Sequence, residues 1–228
     1  MSLERQVSEM SATEVQMIVR GIGETLYMTI LSTLLGYVIG LPWGIGLTVT
    51  GKDGIHPNSV VFRILDVAAN IMRSIPFLIM LIIVLPITKA IAGKTYGPTA
   101  MIVPLVISAA PLIARMVESS LNEIDHGVIE AAQSMGASNA QIVWRVMLGE
   151  AKVSLISGAT ITIGTILGYS AMAGVLGGGG LGDIAIRYGY YRWQPNILFI
   201  TVILLILLVQ LFQLIGTLIG EKLDKRKK

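Results

Sequence analysis

Thr25-Leu-Tyr-Met-Thr-Ile30-Leu-Ser-Thr-Leu-Leu-Gly36-Tyr-Val-Ile-Gly40-Leu-Pro-Trp-Gly44-Ile-Gly-Leu-Thr-Val-Thr-Gly51 contains no Asp, Glu, Lys, Arg or His. A bilayer crossing needs about 20 predominantly apolar residues, so this stretch is long enough to span one. Val153 to Gly182 and Ile197 to Gly220 are uncharged in the same way. Lipid offers no partner to an unpaired backbone group, and such continuous apolar runs cannot build a closed barrel. Each is therefore read as a helix. Two weaker stretches lie between them, one carrying Arg73 near its start and the other interrupted by Pro104 and Pro111. The expected spans are about 25–49, 71–92, 98–117, 153–175 and 197–219, in an all-α integral membrane protein.

Composition agrees. Of 228 residues 54% are hydrophobic and 14% charged, with a mean hydropathy of +0.75. A soluble domain carries about 25% charged residues, so this chain lacks the charge to cover a surface facing water. The apolar content, the aperiodic glycines and the absence of cysteine exclude disordered, collagen-like and disulfide-stapled classes. The net charge of +3 does not indicate nucleic acid either. Five of the 17 Lys and Arg fall in the last seven residues (Lys222, Lys225, Arg226, Lys227, Lys228), which makes them a tail and not a recognition face.

Residues 1–20 read as a periplasmic or interfacial leader, not a cleaved signal. Glu4, Glu9 and Glu14 interrupt them, and the span that follows is too long for a signal-peptide core. Five spans put the termini on opposite sides, and the positive-inside rule chooses between the two orientations. With the C-terminus inside, the inner cations are Lys52, Arg63, Arg115, Arg145, Lys152 and the five of the tail. The outer ones are Arg5, Arg20, Lys89, Lys94, Arg187 and Arg192. The bias favours an outer N-terminus, a cytoplasmic C-terminus and a basic cytoplasmic tail at 221–228.

Several motifs are decoys. Gly46 to Asp53 nearly matches a phosphate-binding loop, but Asp53 stands where a hydroxyl is required, and the segment leaves a span instead of a strand. Gly177 to Gly180 lacks a lysine and suits a bend at a membrane exit. Ser32, Gly36, Gly40 and Gly44 recur every four residues, as do Gly164 and Gly168; small residues at this spacing let helices approach closely in lipid. Arg73 is costly inside a span but can snorkel from its end, with Asp66 as the expected partner. His56 and His126 come with no nucleophile motif and no HExxH, and with no cysteine a metal site is not expected.

The loop from Arg115 to Lys152 is the most informative. Ile124, Val128, Ala131, Ala132 and Met135 recur at helical spacing, as do Ile142, Val143, Val146 and Met147, with Gly136 between the two sets. This predicts two short amphipathic helices meeting at a glycine elbow, their apolar sides resting on protein.

Glu130-Ala131-Ala132-Gln-Ser-Met-Gly136, followed by Val146-Met147-Leu148, resembles the EAA loop of bacterial ABC importer permeases. The resemblance implies a type I ABC importer permease fold over residues 21–220, with a cytoplasmic coupling helix at about 120–150 that docks on a separate ATPase. Glu130, Ala131, Ala132, Gly136, Leu148 and Gly149 would form the coupling site. Small alanines permit close approach, and the glutamate supplies a charge-assisted contact. Gly149 stands where the family usually has proline, and is expected to end the helix as a cap.

Arg73-Ser-Ile-Pro-Phe77, Ala109 to Glu118, Gly168 to Gly174, Gly179 to Gly182 and Tyr188-Gly-Tyr190 look like the methionine-importer branch of that family. That resemblance implies a bacterial inner-membrane homodimer working with two copies of an ATPase and a periplasmic methionine-binding lipoprotein. ATP and magnesium would be used by the ATPase, and this chain would carry no cofactor and no catalytic site. Tyr169 and Met172 are the pathway candidates, and both enantiomers of methionine are conceivable cargo. A permease of the same build for another small solute stays open, as does a stand-alone channel or secondary transporter; a membrane enzyme ranks third. Inverted repeats and intramembrane carboxylates would favour a secondary transporter, and neither is evident here.

Because the chain has no cysteine, single thiols report its topology cleanly. A cysteine at Ser134 is expected to react with a membrane-impermeant reagent only from the cytoplasmic side, and one at Asp183 only from outside. Labelling of both from one side would remove the five-span arrangement.

Overall fold

In the computed structural model of the protein, the described residues are 12–224, and among them every regular element is helical. Residues 1–11 of the leader and 225–228 of the basic tail lie outside them. The elements are α1 (Ala12–Thr50), α2 (Ser59–Ser74), α3 (Phe77–Ile83), α4 (Leu85–Ala92), α5 (Pro98–Asn122), α6 (His126–Ser134), α7 (residues 139–150), α8 (Lys152–Ala173), α9 (Gly180–Ile184) and α10 (Pro195–Leu223). α1, α5, α8 (with the tight turn Gly174–Leu176 that follows it) and α10 are each long and apolar enough to cross a bilayer. The bent pair α2–α3 makes a fifth crossing if it is counted as one.

The first span therefore begins earlier than the sequence suggests. Residues 12–20 are not a separate leader but the opening turns of α1, where Arg20 pairs with Glu24 at 2.9 Å. At 1.5 Å per residue, the 39 residues of α1 extend well beyond the roughly 30 Å hydrocarbon core.

The stretch 71–92, expected as one span, is not one helix. Its first four residues end α2, and the chain then turns by 105° into α3. Pro76 is the cause: a residue before proline is pushed out of the helical region, and Ile75 is extended at φ −83°, ψ 122°. Val84, at ψ 3°, breaks the helix again before α4. Pro104 and Pro111, which looked more disruptive, lie inside an unbroken α5; prolines are tolerated in spans whose neighbours re-satisfy the freed carbonyls.

The described fold divides into two compact units interleaved along the chain. One takes the residues up to Thr33, Phe77–Val106 and Ile163–Leu211; the other takes Leu34–Pro76, Ile107–Thr162 and the residues from Phe212. In the first, Ile18, Leu181 and Ile200 form a buried cluster, with Ile22, Leu204, Leu205 and Leu208 against it. In the second, α1 lies directly on α5. A methyl group added at Gly36 would stand 2.9 Å from Ala109 Cβ, at Gly40 2.7 Å from the Ala110 carbonyl oxygen, and at Gly44 2.5 Å from that of Ala114. The glycine stripe thus lets two backbones meet where lipid gives no hydrophobic drive. Trp43 Nε1 donates to the Leu65 carbonyl at 3.2 Å, and Ser154 to Ser120 at 3.0 Å. Of α5's most apolar stretch 61% is buried, against 11% of α10's, so α5 is far more covered by its own chain than α10.

Gly164 and Gly168 behave differently, since a methyl group at either meets nothing within 4 Å. Their expected role in close helix packing has no counterpart among the described residues. A stripe of small residues lets helices approach only where another helix stands opposite.

Gly40→Ala is expected to destabilise the protein by about 1–3 kcal/mol through overpacking. Gly23→Ala, at a helical position open for 4 Å around, should stabilise it by about 0.5–1 kcal/mol through helix propensity. Thermal unfolding of the two variants in one detergent checks the opposite signs.

Candidate functional site

The loop between α5 and α8 is built from local signals. Asp125 opens α6, its Oδ1 accepting from Gly127 N–H at 2.7 Å. The helix ends at Met135, and Gly136 follows at φ +80°. Ala137 N–H reaches the Ala132 carbonyl at 3.1 Å and Gly136 N–H that of Gln133 at 2.9 Å. This pair of bonds is a Schellman ending, which needs a left-handed residue where Gly136 stands. Ser138 and Gln141 then form a reciprocal capping box.

From Ser138 the chain differs from two separate short helices. Asn139–Gln141, a wider-wound turn over Ile142–Met147, and Leu148–Glu150 are continuous. The Ala151 N–H bonds to the Met147 carbonyl at 3.0 Å and the Leu155 N–H to that of Ala151 at 2.8 Å, carrying the helix into α8. Gly149 is thus not a terminator; it is exposed and lies inside helical structure, and its φ is not positive. A cap was expected because glycine so often ends helices, but here the backbone bonds on either side continue.

The six expected coupling residues fall on different faces. Glu130 and Ala131 are exposed, Gly136 makes the exposed elbow, and Leu148 is half-buried. Ala132 is 5% exposed and faces inward, on the same side as the buried Ile142, Val143 and Met147. Met135 and Trp144, by contrast, are 81% and 65% exposed. One side of the loop is therefore seated on its own chain, while Val128, Glu130, Ala131 and Met135 are free to meet a partner. Ala132 belongs to the seat and not to that outer face.

A polar cluster lies one element upstream, and the sequence reading missed it. Arg115, counted there as a loop cation, is inside α5 and forms an ion pair with Asp66 of α2. It also donates to Asn70 Oδ1 at 2.9 Å and to Glu118 Oε2 at 2.7 Å. Asp66 is therefore not the partner of Arg73, which is exposed in the last turn of α2. Seven residues along a helix is a rise of about 10 Å, too far for a direct pair. Helical spacing within one segment could not have pointed to Arg115, because its partners come from another helix. Below this cluster, a cavity of ≈ 330 Å³ is lined by Lys52, Asp53, Glu118, His126, Ile129 and Met147, among others, joining the turn after α1 to the root of α6.

The two pathway candidates are both on α8. Tyr169 stacks on Phe77 with ring centroids 4.5 Å apart and planes within 1°, while Met172 is 47% exposed. The four-glycine run turns back through Gly177, Gly179 and Gly180, all at positive φ. Glu24 Oε2 accepts from Gly180 N–H at 2.8 Å and the Thr25 hydroxyl from Leu181 N–H at 2.9 Å, so α1 holds the start of α9. Among the described residues, no three His, Asp or Glu side chains gather as a metal site requires.

The elbow ending in a Schellman glycine and the outward Glu130-Ala131 pair are the structural form of the loop that resembles the EAA loop of importer permeases. The chain belongs to the family of binding-protein-dependent transport system inner membrane components, whose profile matches residues 36–228. Within that family it is 46% identical over 203 residues to the "Probable D-methionine transport system permease protein MetI" of Vibrio cholerae, covering 89% of this chain and 90% of that one. It is 49% identical over 165 residues to the D-methionine transport system permease protein MetI of Escherichia coli K12, covering 72% and 76%. Its fold matches a chain of the MetNI methionine ABC transporter solved in inward-facing conformations, with a TM-score of 0.93 and 45% identity over 95% of this chain and 100% of that one.

Arg115→Met is expected to lower stability by about 1–3 kcal/mol, because it leaves two partly buried carboxylates unpaired. The double variant with Asp66→Asn should recover part of that loss. Thermal unfolding of the single and double variants measures the coupling; strictly additive losses would show that the pair contributes nothing.

Proposed function

We propose that this chain is the membrane-spanning subunit of an ATP-driven importer that carries methionine across the bacterial inner membrane. It would work as a homodimer with two ATPase subunits and a periplasmic methionine-binding lipoprotein. The observation that carries this reading is the outward face of α6, where Val128, Glu130, Ala131 and Met135 are exposed beside a rigid glycine elbow. A short helix with a small-residue face and one carboxylate suits a groove on another protein. The methionine-transport relatives at 46–49% identity support the cargo.

In this proposal the coupling surface consists of Glu130, Ala131 and the Gly136 elbow, with Leu148 and Gly149 at the root of the lever and Ala132 as its internal seat. ATP and magnesium belong to the ATPase, and no cofactor is assigned to this chain. The N-terminus lies outside and the C-terminus in the cytoplasm, as the distribution of lysine and arginine favours. Tyr169 and Met172 line the pathway. Both are apolar enough to pass a thioether without holding it, so selection rests with the binding protein.

In cells lacking other methionine importers, the permease, its ATPase and its binding protein should together restore ATP-dependent uptake of radiolabelled methionine. Unlabelled methionine should compete, and histidine or glutamine should not. Ala131→Trp and Glu130→Lys, both on the outer face, should reach the membrane at normal levels yet reduce uptake at least tenfold. Normal uptake by both variants would remove the coupling role; import of a different solute would remove methionine while leaving coupling intact.

A further inference from the structure

We propose that the two short segments leading into α5 and α10, residues 93–97 and 187–194, are interfacial anchors seated among phospholipid headgroups. Both carry large aromatics that the chain leaves uncovered. Tyr96 is 66% exposed, Tyr190 65%, Tyr191 68% and Trp193 86%. Each segment also pairs a cation with an aromatic ring: Lys94 Nζ lies 5.9 Å from the centre of Tyr96, and Arg192 Cζ 4.5 Å from that of Tyr188. Each is followed at once by a proline that begins a span, Pro98 and Pro195. One crossing, α8, separates α5 from α10, so the two segments reach the same face of the membrane.

Depth decides the occupant. Trp193 lies two residues before Pro195, where α10 begins, and so at most about 7 Å along the chain from the start of that span. The polar layer on each side of a bilayer is about 5–7 Å deep. Tyr96 lies two residues before Pro98, where α5 begins. Side chains at that height sit in the headgroup layer, where an aromatic body and a polar tip are both satisfied. Cations drawn onto those rings are placed to meet lipid phosphates. The backbone supports the same assignment: Trp193 is the one described non-glycine residue with positive φ, at +53°. Bulky residues rarely adopt that conformation, and here it turns the indole outward instead of back onto the fold. A binding protein docking from the aqueous side would meet these rings only if they stood clear of the headgroups.

The test uses the assembled transporter in vesicles of phosphatidylcholine and phosphatidylglycerol. Since the chain has no cysteine, Trp193→Cys and Tyr96→Cys are labelled with a nitroxide before assembly with unlabelled partners. Collision with dissolved oxygen and with a water-soluble nickel complex reports depth by electron paramagnetic resonance. Leu207→Cys on the exposed flank of α10 serves as the lipid reference and His56→Cys, exposed in the turn after α1, as the water reference. The oxygen-to-nickel ratio at both anchor positions is expected to fall between the two references and to stay there when the binding protein is added. A ratio equal to that at His56 would overturn the proposal. Low collision with both probes would also overturn it, by showing that protein covers the rings. Loss of nickel collision on adding the binding protein would assign the surface to that partner instead. If Trp193→Cys does not fold, Tyr190→Cys gives the same reading from an ordinary backbone position.

Discussion

Within a bilayer no water is available to a backbone N–H or carbonyl, so any interruption of a helix must be closed by the protein itself. This chain interrupts its helices repeatedly, and the closures define its form. Gly97 N–H donates to the Gly177 carbonyl at 2.9 Å, and Glu24 and Thr25 accept from the two amides that start α9. Glycine at positive φ recurs where the chain turns back, as in the run 177–180 and at the Gly136 elbow, because a side chain there would be strained. The bend at Ile75–Pro76 likewise gives up helical bonding where proline has no N–H to offer.

The same shortage of water governs charge. Arg115, Asp66, Asn70 and Glu118 form a connected group in which the cation is divided among several acceptors. An isolated arginine at this position would be expensive, whereas one held by two carboxylates and an amide can be retained. The cluster ties α2 to α5 within one unit. The chain follows Asp66 and Asn70 on α2 with the bend at Pro76, so the helix entering that bend is held by polar bonds.

Much of the fold was legible because lipid imposes length and apolarity directly on sequence. α1, α5 and α10 are helical throughout 25–49, 98–117 and 197–219, α8 is helical over 153–173, and the Gly36–Gly40–Gly44 stripe lies where two helices meet. The elbow at Gly136 was legible from helical spacing on either side of one glycine. What sequence did not show depends on partners distant along the chain. Arg115 reads as a loop residue until α2 is brought alongside it. Ala132 and Ala131 are indistinguishable as letters, and only the seating of α6 separates the inward one from the outward one. Gly149 looks like a cap because the backbone bonds that run past it, from Ala151 to Met147 and from Leu155 to Ala151, are not apparent from composition. Gly164 and Gly168 share the spacing of the α1 stripe, but among the described residues nothing stands close against them.

The continuity from α7 into α8 has a mechanical consequence. No flexible linker separates the outer loop from the span; a single turn at Ala151, bonded on both sides, joins them. A displacement of the loop would therefore pass into α8 along hydrogen-bonded backbone, with no slack segment between them to absorb it. The wider-wound turn at Ile142–Met147 is a departure from regular α pitch along that path.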